Sequence, residues 1–422
     1  MSSGLAKAHR ANPAASIRVN QLHGIPVLMS GLSSLVLRKP EIEVISKHHK
    51  KTLINLQKLH ANTPDTVVFF LSGTLPGSAI LHLKQFSLFG MITRLPGSVL
   101  HELAIRMMTC AKSSSTSWFQ QIRNLFLQYL LPHPLTFLEN PLSKCQFKRL
   151  VKSKVQDYWQ ENLRSRAKPN ALSSLSFFKP QFMSLSKPHP LWTTASSNPY
   201  ETNKAIVQAR MLSGRYRTEG LCRFWSTNPA GTCLLPECSH LLGKEDITHI
   251  LITCKSLTGV RNRLIKFFTS YSNKNPYLSS IISEFLFSAN TTFQTQFLLD
   301  CSTLPEVITL RQTYGFQILE SLFYISRTWC YSLHRERLRK LDRWSQFWPA
   351  KRDSTMCNIF KGILPFRAYI VIACIGINHE WLFTGFEIKN KDVKINKKSK
   401  LLNVTIVVKW SSGYPTTKYL WD

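Results

Sequence analysis

The spacing Cys233-x4-Cys238-x10-His249-x4-Cys254, carried by "GTCLLPECSHLLGKEDITHILITC", constrains this chain more than any other stretch of it. Zinc takes about four nitrogen or sulfur ligands in a tetrahedron, and a short cysteine loop followed by a His/Cys pair on a helix meets that demand. The first pair lies on a loop containing Gly231 and Pro236. The second opens an expected amphipathic helix, "KEDITHILITCKSL", where five positions bring His249 and Cys254 to similar sides across about one turn. A Cys-x4-Cys interval is looser than the usual Cys-x2-Cys, and Cys222 and His240 are further candidates, with Cys222 the reserve ligand. With every coordination position filled by protein, the expected cofactor is a single structural zinc.

The other six of the ten cysteines, Cys110, Cys145, Cys301, Cys330, Cys357 and Cys374, are widely spaced and show no disulfide framework. The amino terminus, "MSSGLAKAHRANPAAS", lacks the apolar core of a secretory signal, so a reducing intracellular setting, nuclear or cytoplasmic, is expected. "AYIVIACIGI", from Ala368 to Ile377, is about half a membrane span in length, and a membrane role is not expected.

Charge narrows the partners. With 54 Lys+Arg against 23 Asp+Glu the chain carries a formal +31, a self-repulsion best relieved by a polyanion, so RNA or DNA is the first partner to consider. A small-molecule substrate is not expected. Nothing in the chain supplies local catalytic chemistry. Its eight aspartates include no adjacent pair of the kind that bridges two metal ions, and no Walker loop, Gly-x-Gly-x-x-Gly or Gly-x-Ser-x-Gly is present.

Hydrophobic periodicity predicts a mainly α fold. A helix is expected in "SKHHKKTLINLQKLHAN", a buried helix or helix pair between the Pro-Gly dipeptides that follow, with Ile80, Leu83, Leu88, Met91, Ile92 and Leu95 facing inward, and another from Thr116 to Leu131. The clearest runs from Ser143 to Lys168, with Phe147, Leu150, Val151, Val155, Tyr158, Trp159 and Leu163 stepping by three and four. Lys148, Arg149 and Lys152 fall on its other faces, either merely solvated or facing phosphate. A Ser/Pro-rich connector spans 169–199, and a helix from about Tyr200 to Leu212 leads into the cysteine cluster. Further helices are expected in "SLTGVRNRLIKFF", "PYLSSIISEFLF" and the run from Leu304 to Trp344. Beyond Trp348, short β-branched runs around "KNKDVKINKKSK" predict a small β-containing or poorly ordered tail.

Arg210, Arg215, Arg217 and Arg223 are interleaved with Tyr216, Phe224 and Trp225. Arginines beside aromatics suit single-stranded nucleic acid; alternatively, these aromatics pack the cysteine module itself.

The order of these features resembles the carboxyl-terminal part of the reverse-transcriptase polyprotein of non-LTR (LINE-like) retrotransposons. "IPVLMSGLSSLVL" looks like the family's P-x-L-x-x-G thumb stretch, and "CLLPECSHLLGKEDITHILITC" like its zinc module, with Glu245 four residues before His249. "TPDTVVFFLSGTLPGSAILHLKQFSLFGMITRLPG", "ARMLSGRYRTEGLCRFW" and "LESLFYISRTWCYSLHRERLRKL" follow in the family's order. The resemblance implies a thumb-like helical region over 1–168, the connector, a zinc module over 200–260, carboxyl-terminal helices over 261–345 and an unrelated tail over 346–422. It also implies that the zinc module and thumb contact RNA or DNA. The family's palm, with its paired catalytic aspartates, has no counterpart here, so the expectation is a non-catalytic, nucleic-acid-binding fragment. The competing expectation is an interaction protein whose basic tail docks on a partner or membrane.

Overall fold

A computed structural model describes residues 11–110, 116–167, 175–222, 228, 230–235, 237–238 and 244–347. Among them the fold is mainly α, with one isolated antiparallel bridge, Thr232 to Lys244, and no named strand. The expected β-containing or poorly ordered tail falls outside the described residues, which lie in one compact unit.

The amino-terminal half is built on α1 (Lys39–Gln57), α2 (Asp65–Ser72), α3 (Gly77–Ile92), α4 (Val99–Cys110), α5 (Trp118–Gln128) and α6 (Lys144–Arg166). Helix α6 forms where periodicity places it, and its start is fixed chemically. Ser143 Oγ accepts from the Gln146 N–H while Gln146 Oε1 accepts from the Ser143 N–H, a reciprocal capping box. Its Phe147, Val151 and Val155 bury against Phe86, Phe89 and Phe126. The crossing with α3 is close at Gly90, where a β-carbon would stand 2.6 Å from the Phe147 ring.

Helix α3 departs from the expected inward face. Ile92 is buried as expected, but Met91 and, just beyond the helix, Leu95 are 47% and 43% exposed, while His82, Gln85, Phe86 and Phe89, not among the expected positions, are buried. A nearly all-apolar helix carries little directional signal, and the polar residues that face inward are those with partners. The His82 ring lies 2.7 Å from Tyr129 Oη, which also accepts from Trp159 Nε1 at 3.0 Å.

Helix α2 is buried from Thr66 to Ser72, and residues flanking it satisfy its backbone. Gln57 donates to the Val68 carbonyl and accepts from Trp192 Nε1. No single described helix is long and apolar enough to cross a membrane; only α2 and α3 together, bent by 57°, match on length and composition. The apolarity of α2 serves burial within the protein core.

The carboxyl-terminal half comprises α7 (Pro199–Leu212), α8 (Thr258–Lys274), α9 (Ser279–Phe287), α10 (Thr291–Asp300), α11 (Pro305–Tyr314) and α12 (Gln317–Phe347). The run expected from Leu304 to Trp344 is thus two helices, broken at 315–316. Helix α12 is the spine of this half, packed against α7, α8, α10 and α11. The described part of the Ser/Pro-rich segment is packed chain: Phe178, Met183, Leu185, Leu191 and Trp192 bury in the principal core with residues from both halves, including Leu53, Phe70, Leu212 and Phe323.

Candidate metal centre

The chain leaves α7 at Ser213 and forms a short helix, Glu219–Cys222, before the loop that carries the first cysteines. That loop is closed by a turn in which Asn228 Nδ2 donates to the Thr232 carbonyl at 2.7 Å. Gly231, at φ +64°, crosses so near Gly220 that a β-carbon would lie 2.9 Å from its Cα. Glycine is required there both for the left-handed backbone and for the approach. Cys233 follows directly, and the Cys238 N–H donates to the Leu235 carbonyl at 2.9 Å.

The second pair is positioned differently from the expected α-helix. Asp246 caps the segment, its Oδ1 accepting from the His249 N–H at 2.7 Å. Residues His249–Thr253 then form a π turn, and the Cys254 N–H donates to the His249 carbonyl at 2.7 Å. A wider turn with an i→i+5 bond places residues five apart above one another, which an α-turn does less well. The His-x4-Cys interval is served by that geometry. At Cys254 the backbone becomes extended, so the segment is not continuous with α8.

The four predicted ligands converge. Cys233 Sγ, Cys238 Sγ, a ring nitrogen of His249 and Cys254 Sγ all lie within 4.8 Å of one another, and the Cys238 and Cys254 sulfurs are 3.6 Å apart. Around a tetrahedral zinc with bonds of about 2.3 Å to sulfur, neighbouring sulfurs stand roughly 3.8 Å apart. The cysteines are free thiols and all three are buried. His249 Nε2 is buried with no hydrogen-bond partner, while Nδ1 stands 3.4 Å from Thr253 Oγ1. An unpartnered imidazole nitrogen beside three sulfurs fits a metal ligand, with Thr253 orienting the ring from its other nitrogen. The Cys254 sulfur and burial push the Cys233 thiol well above its ordinary range, since three thiolates cannot crowd together without a cation.

Two further residues complete the centre. Arg261, on the first turn of α8, donates to the Cys254 carbonyl at 2.5 Å and to Thr258 Oγ1 at 3.0 Å. Burial lowers its pKa, opposed by the sulfurs of Cys254 and Cys238, so its charge stands beside the thiolates that would accumulate around a divalent ion. Glu245 is 1% exposed and receives a two-pronged bond from Arg337 of α12, at 3.0 Å and 2.8 Å; its Oε2 also accepts from the Glu219 N–H at 2.6 Å. Glu245 therefore ties the metal loop, the short helix and α12 together. The pair formed with Arg337 spans 92 residues of sequence, and only the acid's place before His249 hinted at a role. Arg261 had no local cue.

The cluster fixes its module onto α12 at other points as well. Trp329 Nε1 donates to the Leu251 carbonyl at 3.2 Å, and Lys340 Nζ to the Ser256 carbonyl at 2.6 Å. Three cysteines and one histidine give a Cys3His set of four protein ligands that can hold a metal ion.

The predicted basic surface is only partly assembled. Lys148, Arg149 and Lys152 are exposed on α6. Arg217 is exposed, and Arg215 is half-buried with an unpartnered Nε. Arg210 donates to the Lys58 carbonyl at 2.9 Å, which engages part of its guanidinium. Tyr216 is not a surface platform: it is 7% exposed, bonded to His334 Nδ1 at 2.8 Å, with the Arg337 guanidinium 5.9 Å from its ring centre. It packs the module, the alternative that the sequence left open. Arg223, Trp225 and the Cys222 side chain lie outside the described residues.

Comparisons with protein-family models, with curated proteins and with solved structures give no match for this chain.

Proposed function

We propose that this chain is a non-enzymatic nucleic-acid-binding protein, derived from or similar to the carboxyl-terminal part of a non-LTR retrotransposon reverse transcriptase and organised by one structural zinc. The observation that carries the metal half of this reading is the convergence of Cys233, Cys238, Cys254 and the unpartnered His249 Nε2. Three sulfurs with one imidazole favour zinc over magnesium or calcium, which prefer oxygen. The nucleic-acid half rests on the +31 charge and on exposed arginines and lysines across α6, α8 and α12. The structural zinc holds the module against α12, and the basic helices it positions meet RNA or DNA inside the cell.

The test is the salt dependence of binding to RNA and DNA oligonucleotides. Each phosphate contact on a single strand contributes a slope of about −0.7 to log K against log salt, so a steep fall is expected. Affinity that stays flat from low to high salt contradicts the reading. Primer extension with magnesium is expected to give no templated product, because the chain has no adjacent pair of aspartates to hold two catalytic ions.

A further inference from the structure

A cavity of about 390 Å³ opens between α8 and α12, beside the start of α7. Its floor is apolar, formed by Val260 and Leu264, 8% and 7% exposed. Its rim is cationic. Tyr331, Arg335 and Arg339 recur every four residues along α12, and Arg263 faces them from α8. Four residues of helix rise separate Arg335 from Arg339 by about 6 Å, so the two guanidinium groups serve successive positions along an elongated anion.

The acid balance is incomplete. Glu336 is the one acidic residue lining the cavity, and it is committed to Arg339, whose Nε donates to it at 2.8 Å. The bond from Arg339, with the charges of Lys340 and Arg263, holds the Glu336 carboxyl below its ordinary range. Arg263 and Arg335 are exposed and form no ion pair among the described residues. Three arginines against one glutamate leave the groove with net positive charge.

One end of the groove is aromatic. Tyr200 is 48% exposed and meets Tyr331 edge to face, with ring centres 5.4 Å apart, while Lys204 Nζ stands 4.6 Å from the Tyr200 ring centre. Guanidinium groups for phosphates next to an accessible aromatic ring are the two components by which proteins hold unpaired nucleotides. A duplex would offer the phosphates but keep its bases stacked away from Tyr200.

We infer that the groove between α8 and α12 is a binding site for a single-stranded polynucleotide, with Arg263, Arg335 and Arg339 on its phosphates and Tyr200 against a base. This inference rests on the nucleic-acid reading above and gives it an address distinct from the α6 surface. The metal centre lies at the amino-terminal end of α8, where Arg261 grips Cys254, so it anchors one wall of the groove.

The experiment uses the full chain, labelled oligo-U RNA and the corresponding DNA, and a duplex of equal length. The Arg263→Ala/Arg335→Ala/Arg339→Ala chain should lose at least about tenfold in affinity for single strands, and its salt slope should flatten by about 2. Tyr200→Ala should weaken single-strand binding about tenfold with the slope unchanged. Arg335→Glu alone, at an exposed and unpaired position, should reproduce most of the loss and guards against misfolding of the triple variant. Lys148→Ala/Arg149→Ala/Lys152→Ala is the comparison surface. If the parent chain binds no nucleic acid, the proposed function fails and the groove with it. If the parent binds but both groove variants keep its affinity and slope, the groove assignment alone is overturned. Equal binding of duplex, indifferent to Tyr200→Ala, overturns the single-strand assignment.

Discussion

The residue with the most to lose is Glu245. Its carboxylate and the Arg337 guanidinium are both buried, and a buried pair broken on one side leaves an uncompensated charge costing about 3–5 kcal/mol. Glu245→Ala should lower unfolding free energy by that amount in denaturant titration, whereas Glu245→Leu with Arg337→Met, removing both charges, should recover most of it. A loss equal in the single and double variants would mean the pair holds nothing by itself. Lys58 makes the opposite case. It closes α1 in a left-handed conformation at φ 55°, next to the like charge of Arg210. Lys58→Gly should stabilise the fold by up to about 1 kcal/mol, read as a raised melting temperature, because it removes backbone strain and repulsion together. These two positions also mark the limit of what sequence reveals about residues. The four candidate metal ligands were legible because their spacing is local. Glu245 was visible only as an acid near a histidine, since Arg337 comes from a distant helix. Tyr216 was ambiguous because an aromatic between arginines reads the same whether it stacks on a base or fills a core.

Among elements, the π turn of His249–Thr253 links spacing to chemistry. An uninterrupted α-helix through "KEDITHILITCKSL" was the natural expectation from periodicity, yet it would rotate Cys254 away from His249, and the wider turn corrects this. Inserting one residue between them should carry the cysteine off the face the π turn gives it and abolish metal retention while leaving the α6 and α12 packing intact; retained stoichiometric metal would contradict that role for the turn. Helix α6 was legible from its apolar stripe, of which Phe147, Val151, Val155 and Leu163 are buried while Tyr158 is exposed. The inward face of α3 was not, because a helix apolar nearly all round hides which side is covered until its neighbours are known. The break at 315–316 was missed for a related reason: both flanking segments carry the same helical pattern.

At the scale of the molecule, two buried histidines make stability depend on acid. Burial holds His49 and His82 at about 4, below the 6.5 they have when unfolded. Between those values the unfolded chain binds protons that the folded chain refuses, so their contribution is complete above pH 6.5 and is lost as pH falls toward 4. Each can cost on the order of 2 kcal/mol by pH 5. Denaturant titrations should therefore show a marked loss between pH 7 and pH 5, smaller in His82→Gln than in the parent; identical pH dependence in the two would rule His82 out as a contributor. The formal charge of +31 adds self-repulsion that a bound polyanion relieves, and the same charge that predicts RNA or DNA as partner leaves open which surface is used. Sequence order alone cannot bring Arg263, Arg335 and Tyr200 together, because they belong to three helices that only the folded core aligns. The Cys3His cluster sits at the amino-terminal end of α8, and its occupancy by zinc is the proposal on which the rest depends. Metal content per chain, measured by inductively coupled plasma mass spectrometry on the parent and on Cys238→Ser, tests it directly. One zinc per parent chain and none retained by Cys238→Ser is the expected result; a parent chain free of metal, or equal zinc in both, contradicts a zinc held by these four residues.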